Sequence, residues 1–173
     1  GGRSMTLRPE NTASVVRSFL EHKLYGDGKI HKFYYMGPMF RHDRPQAGRY
    51  RQFNQFGVEE IGSQDPAGDA EIIALALQLF RELGLHDLVL HLNSVGCPAC
   101  RPVYRRKLLE FFADKRAGLC EDCQSRLDRN PLRVLDCKED GARMLSAGVP
   151  LITDYLCAEC ESHFEKVQAY LTE

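Results

Sequence analysis

The sequence predicts an α+β fold: a partial antiparallel sheet with flanking helices, followed by a small, mainly helical, cysteine-rich module. Three observations carry that expectation. Two strand-like segments, 32–41 and 51–61, are joined by a short loop marked by Pro45 and Gly48. Apolar residues recur at helical spacing on both sides of that pair. All seven cysteines lie in the second half, six of them in C-x-x-C pairs.

The elements follow in order. Residues 11–25 read as a helix, with Val15, Val16, Phe19 and Leu20 on one side and Pro9 just ahead of it. The first strand is clearest at Phe33-Tyr34-Tyr35-Met36. On the second strand, side chains alternate between faces. Phe53, Gln55 and Glu59 therefore share one side, and Phe56 and Val58 share the other, which is expected to be the apolar core face. Residues 69–83 form a patterned helix ended by Gly84, and 88–92 a short strand. From Cys97 onward, helices are expected over 102–116, 121–128, 138–147 and 158–172. The domain division expected is 1–96 and 97–173.

A chain of 173 residues with 43% hydrophobic and 27% charged content suits one ordinary domain, or one and a half small ones, with a real core. Its longest apolar run, 72–77, is too short to cross a bilayer, and no export signal is visible, so no membrane association is expected. The opening Gly-Gly-Arg, without an initiator Met, suggests a fragment. Net charge is −1, which argues against a surface coated in basic charge for nucleic acid. The distribution is uneven, however. Residues 1–60 hold ten Lys/Arg against six Asp/Glu, whereas residues 61–96 hold one against five.

The cysteines read Cys97-Pro-Ala-Cys100, Cys120-Glu-Asp-Cys123, Cys137 alone and Cys157-Ala-Glu-Cys160. An odd count with three C-x-x-C pairs and no export signal points away from an extracellular disulfide framework. It points toward thiolate–metal chemistry in a cytoplasmic protein.

The densest chemistry in the first half is 40–53, where Arg41, Arg44, Arg49 and Arg51 surround a hairpin tip. Guanidinium groups grip phosphate or carboxylate oxygens through paired hydrogen bonds, and an aromatic ring can stack on a base. Together these supply what an ATP-activating site needs, charge at the α-phosphate and a shelf for adenine. Neither a P-loop nor a G-x-G-x-x-G is present.

The run Tyr35-Met36-Gly37-Pro38-Met39-Phe40-Arg41-His42-Asp43-Arg44-Pro45-Gln46, continued by Phe53-Asn54-Gln55, closely resembles motif 2 of class II aminoacyl-tRNA synthetases in its histidyl form. Thr6-Leu7-Arg8-Pro9-Glu10-Asn11-Thr12 resembles the first amino-acid-binding loop of the same family. The similarity continues through Leu92-Asn93-Ser94-Val95-Gly96, Asn130-Pro131-Leu132-Arg133-Val134-Leu135-Asp136 and Asp154-Tyr155-Leu156, and so spans nearly the whole chain.

The resemblance implies roles for individual residues. Arg41 is the catalytic residue that holds the α-phosphate and substrate carboxylate. Arg49 reaches the outer phosphates of ATP, and Phe53 stacks on adenine. Asp43 lies beside the adenine amino group, where the family usually has Glu, so its reach is one methylene shorter. Glu10, Thr12 and Gln55 bind the α-ammonium of histidine, and Glu59 binds the imidazole. The chemistry is consistent with those roles. A carboxylate with neutral acceptors satisfies an ammonium, and a fixed carboxylate selects a ring N–H, rejecting analogues without one by roughly 10⁴-fold or more.

The implied reaction is attack of histidine on the ATP α-phosphate, with Mg²⁺, then transfer to tRNA(His) by a homodimer of the full-length enzyme. The family's motif 1, motif 3 and second histidine loop are not found in this sequence, so the isolated chain is expected to be inactive or nearly so. The alternatives are a non-catalytic synthetase-like regulatory subunit of histidine biosynthesis and a zinc-binding nucleic-acid module. Retention of Arg41, Gln55 and Glu59 argues against the first.

The resemblance makes the cysteine-rich half an insert, and an inserted domain usually leaves and re-enters its host at neighbouring points. Cys97, Cys100, Cys157 and Cys160 bracket it, so a structural Zn²⁺ held by these four thiolates would clamp its base. Cys120, Cys123 and Cys137 are left as a trio without an evident fourth ligand, and their plain reading is reduced, partly buried thiols. His163 could serve either set or lie on a helix surface. Arg101, Arg105, Arg106, Lys107, Lys115 and Arg116 give the first insert helix a basic bias suited to the tRNA acceptor stem, or simply to solvent.

Overall fold

The computed structural model describes residues 2, 4–44 and 46–172; Pro45, one of the two loop markers, lies outside them. The fold is α+β, and its contacts divide the chain into two compact units, Gly1–Leu83 and Gly84–Glu173.

The first unit is built on a hairpin of β1 (His31–Phe40) and β2 (Gln52–Ile61), paired antiparallel from His31↔Ile61 to Phe40↔Gln52. Helix α1 (Thr12–Glu21) is shorter than the apolar pattern suggests. Lys23 takes a left-handed conformation (φ 56°), which stops the helix and leaves Leu24–Gly26 as a single 3₁₀ turn. Phe19 of α1 packs edge-on against His31 and Phe33, joining helix to sheet. Helix α2 (Pro66–Glu82) begins earlier than its apolar residues do, because Asp65 accepts a hydrogen bond from the Ala67 N–H at 2.9 Å and Pro66 pre-sets the first turn.

The expected core face of β2 is corrected. The covered side of the hairpin is the one bearing Phe33, Tyr35 and Met39 opposite Glu59, Gly57 and Phe53. Phe56 and Val58 lie on the other side, with Tyr34 and Met36 as their partners, and this apolar part is exposed, Met36 being 81% and Phe56 54% accessible. Helix α2 meets only the far end of that side, where Lys32 pairs with Glu71 and the Glu60 side chain is 10% accessible. Alternation located the two faces but could not say which one other chain segments cover. Among the described residues, α1 and the segment ahead of it cover the polar side.

The second unit is helical: α3 (Cys100–Phe112), α4 (Glu121–Arg129), α5 (Gly141–Ser146) and α6 (Ala158–Thr172), with 3₁₀ turns at Arg116–Gly118, Pro131–Val134 and Ile152–Tyr155. Its core stacks Tyr104, Leu108 and Phe112, one helical turn apart on α3, against Leu119, Cys123, Leu127, Val134, Met144 and Ile152. The expected strand at 88–92 does not form. A strand needs a hydrogen-bonded neighbour, and among the described residues the only sheet is the β1–β2 pair.

Candidate amino-acid and ATP site and two thiol clusters

The polar side of the hairpin gathers the residues singled out from sequence. Thr12 Oγ1 donates to Glu59 Oε1 at 2.6 Å, joining the start of α1 to β2 across 47 residues. Glu10 sits two residues upstream of Thr12. Its Oε2 accepts from the Thr12 N–H at 2.6 Å and its Oε1 from the Ala13 N–H at 3.3 Å. The carboxylate thus caps α1, where the helix dipole favours negative charge. Each oxygen keeps a lone pair for a further donor. Gln55 Oε1 is buried with no hydrogen-bond partner among the described residues, an uncommon state for an interior acceptor.

Arg41 lies just past the end of β1. Its Nε donates to the Pro9 carbonyl at 3.0 Å, and its guanidinium carbon stands 5.0 Å from the centroid of the Phe53 ring. This is cation–π range. The arginine is therefore oriented by one backbone acceptor and one aromatic face while its terminal N–H groups remain for an anion. Asp43 and Arg49 are exposed on the hairpin loop. Arg49 exchanges backbone hydrogen bonds with Gln46, and the Asp43 carbonyl accepts from Arg51 Nε at 3.5 Å.

Two residues near this site lie in the motif runs but were given no role from sequence. Tyr35 pairs with Gly57 and lays its ring across it, between Gln55 and Glu59 on the same face; a methyl group at 57 would collide with that ring. A glycine inside a strand was the available signal, since it marks close approach of another group. Arg8 is the other. Its Nε donates to the Pro38 carbonyl at 3.0 Å and its own carbonyl accepts from the Phe40 N–H at 2.9 Å, which ties the segment ahead of α1 to β1.

In the second unit, Cys97, Cys100, Cys157 and Cys160 converge, with their sulfur atoms all within 4.8 Å of one another. Cys97 Sγ is 3.5 Å from Cys100 Sγ and 3.9 Å from Cys157 Sγ. The edge of a tetrahedron with Zn–S bonds of about 2.3 Å is about 3.8 Å, so these separations suit a four-thiolate ion. The N–H groups of Cys100 and Ala99 point at Cys97 and hold its thiol down at about 6, while the Cys157 side chain and burial push Cys160 up to about 12. The Cys157 N–H also donates to Cys100 Sγ at 3.1 Å. Gly96 makes the turn possible: its φ is 62°, and a Cβ there would sit 2.8 Å from that of Cys100.

A second cluster joins the leftover trio to Asp140: Cys120, Cys123, Cys137 and Asp140 also lie within 4.8 Å of one another. Sequence reasoning missed Asp140, although Cys137-Lys-Glu-Asp140 repeats the ligand-x-x-ligand spacing. His163 belongs to neither cluster. Of the basic residues proposed for RNA, Lys107, Lys115 and Arg116 are held in ion pairs with Glu110, Asp114 and Asp128.

Comparison with known proteins gives the family. A sequence model of the family described as histidyl-tRNA synthetase matches residues 1–100. The chain belongs to the histidyl-tRNA synthetase family. It is 57% identical over 171 residues to the histidine–tRNA ligase of Desulforamulus reducens and 59% identical over 171 residues to that of Desulforudis audaxviator. Each match covers 99% of this chain and 41% of the relative. The crystal structure of apo S. aureus histidyl-tRNA synthetase aligns with a TM-score of 0.70 and 44% identity, over 99% of this chain and 40% of that one. The chain therefore spans about 41% of the length of these histidyl-tRNA synthetase relatives, and the regulatory-subunit alternative is not favoured. Among the described residues, no helix is long and apolar enough to cross a membrane.

Proposed function

We propose that this chain carries the amino-acid loop and motif 2 part of a histidine–tRNA ligase site, with residues 1–96 belonging to the catalytic domain and 97–173 to an inserted module. The observation that carries the reading is the meeting of Glu10, Thr12 and Glu59 in one hydrogen-bonded chain, on the hairpin face that also holds the unpaired, buried Gln55 oxygen. A buried acceptor of that kind calls for a donor, and an α-ammonium brings three. Glu10, Thr12 and Gln55 bind the ammonium, and Glu59 accepts from the imidazole N–H.

ATP enters as its Mg²⁺ complex. Arg41 draws the histidine carboxylate and the α-phosphate together and offsets the charge that grows on the phosphate as the new C–O–P bond forms and pyrophosphate leaves. Phe53 stacks on adenine, Asp43 contacts its amino group, and Arg49 holds the outer phosphates. The histidyl-adenylate then passes its histidyl group to a terminal hydroxyl of tRNA(His), releasing AMP, in a cytoplasmic homodimer. A structural zinc at Cys97, Cys100, Cys157 and Cys160 closes the inserted module.

A chimaera tests this reading. The matching segment of the D. reducens ligase is replaced by this chain, and histidine-dependent ATP–pyrophosphate exchange is measured. Exchange that is strong in the chimaera and lost in its Arg41→Ala variant supports the proposal. A folded chimaera without exchange, or one indifferent to Arg41→Ala, overturns it.

A further inference from the structure

Cys120, Cys123 and Cys137 have no part in the reading above, yet the fold spends several specific interactions on bringing them to a buried carboxylate. Cys120 stands at the start of α4 and Cys123 lies in its first turn. Cys137 follows the Pro131–Val134 turn, and Asp140 immediately precedes α5. Cys123 is fully buried and Asp140 is 2% accessible.

Packing alone does not account for this set. Reduced cysteines behave as small apolar residues, and an aliphatic side chain at position 140 would join them at no electrostatic cost. A carboxylate in an apolar core is expensive unless it is compensated. Asp140 Oδ2 accepts from the Cys120 N–H at 3.0 Å, and Oδ1 is paired with Arg143. A second guanidinium approaches from the other side, with Arg126 Nη1 3.9 Å from Cys123 Sγ.

The four donor atoms lie within 4.8 Å of one another, close enough to share one ion. Cys120 Sγ and Cys137 Sγ are 3.8 Å apart, which matches the edge of about 3.8 Å for a tetrahedral zinc thiolate and is far from the roughly 2.05 Å of a disulfide. Charge closes as well. Three thiolates and one carboxylate bring four negative charges, a dication removes two, and Arg126 and Arg143 offset the remainder.

We propose that Cys120, Cys123, Cys137 and Asp140 hold a second, structural zinc-class dication, separate from the four-thiolate set. Soft thiolates with one carboxylate suit Zn²⁺ over Mg²⁺ or Ca²⁺. Four protein donors complete the shell, so the ion cross-links α4 to the chain leading into α5 and takes no part in catalysis.

The test uses the full 173-residue chain, loaded with Zn²⁺ and desalted, then measured by native mass spectrometry. Two ions are expected in the unaltered chain and one in the Cys97→Ser/Cys157→Ser variant. A variant that keeps its helical circular dichroism but holds no zinc overturns the proposal. Asp140→Asn is expected to weaken the remaining site at least tenfold in competition with a chromophoric chelator, and unchanged affinity overturns the ligand set. Alkylation of the unaltered protein avoids any folding defect. With zinc bound, Cys120, Cys123 and Cys137 should resist iodoacetamide until a chelator is added. Equal labelling with and without zinc overturns the assignment.

Discussion

The Thr12 hydroxyl and the Glu59 carboxylate meet at 2.6 Å, so the residue assigned to the histidine ammonium positions the residue assigned to its ring. A hydrogen bond to a charged acceptor contributes about 1.5–3 kcal/mol when shielded and less at a surface. In the chimaeric ligase, Thr12→Val should raise KM for histidine about tenfold and leave KM for ATP nearly unchanged. Glu59→Gln should lower kcat/KM for histidine by about 10²-fold or more, because a neutral amide selects an N–H less strongly. Equal effects on both substrates in pyrophosphate exchange would count against this division of labour.

Arg41 is oriented by the Pro9 carbonyl and the face of Phe53. Lysine keeps the charge but loses the planar fork and the stacking surface. Arg41→Lys in the chimaera should therefore cut kcat by about 10²–10³-fold, comparable to removal of one oriented donor at a developing oxyanion. A loss of less than threefold would mean that charge alone suffices.

The chain by itself is expected to show no detectable histidine- and ATP-dependent pyrophosphate exchange. It spans about 41% of the length of its relatives, and the motif 3 arginine and second histidine loop implied by the family resemblance are expected outside it. The charge on ATP and one side of the histidine pocket would therefore be left unsupported. Clear exchange by the isolated chain would remove the claim that it holds only part of a site.

Removing metal should act on the second unit. If Cys97, Cys100, Cys157 and Cys160 hold zinc, a strong chelator should lower the melting temperature by about 10 °C or more, because an ion bound only to the native state adds its binding free energy to folding. Cys97→Ser/Cys157→Ser should do the same without chelator. Unchanged melting in both experiments would reduce these thiols to packing residues.

Gly96→Ala offers a milder probe of the same cluster. The backbone there is left-handed, and the added Cβ would stand 2.8 Å from that of Cys100. Destabilisation of about 1–2 kcal/mol is expected in denaturant unfolding, with faster zinc release. Wild-type stability and release would show that the turn relaxes freely.

The sequence by itself was enough for the elements whose chemistry is local. The β1–β2 hairpin follows from alternation and an intervening polar loop, and α4 and α6 were bounded within a residue or two. The C-x-x-C pairs were legible for the same reason, since their spacing along the chain carries the signal, whereas the roles proposed for Arg41 and Gln55 came from the family resemblance of the motif around them. Helix ends were less legible where one backbone angle or one cap decides them, as at Lys23 and Asp65.

Tertiary structure alone decided which face of β2 is covered, why 88–92 is not a strand, and what completes the cysteine trio. Each depends on a partner distant in sequence: α1 over Glu59, a neighbouring strand that residues 88–92 lack among those described, and Asp140 against Cys120. Local pattern fixes how a side chain points relative to its neighbours. Which group it finally meets is set by burial, whose cost and gain are fixed only when the whole unit closes.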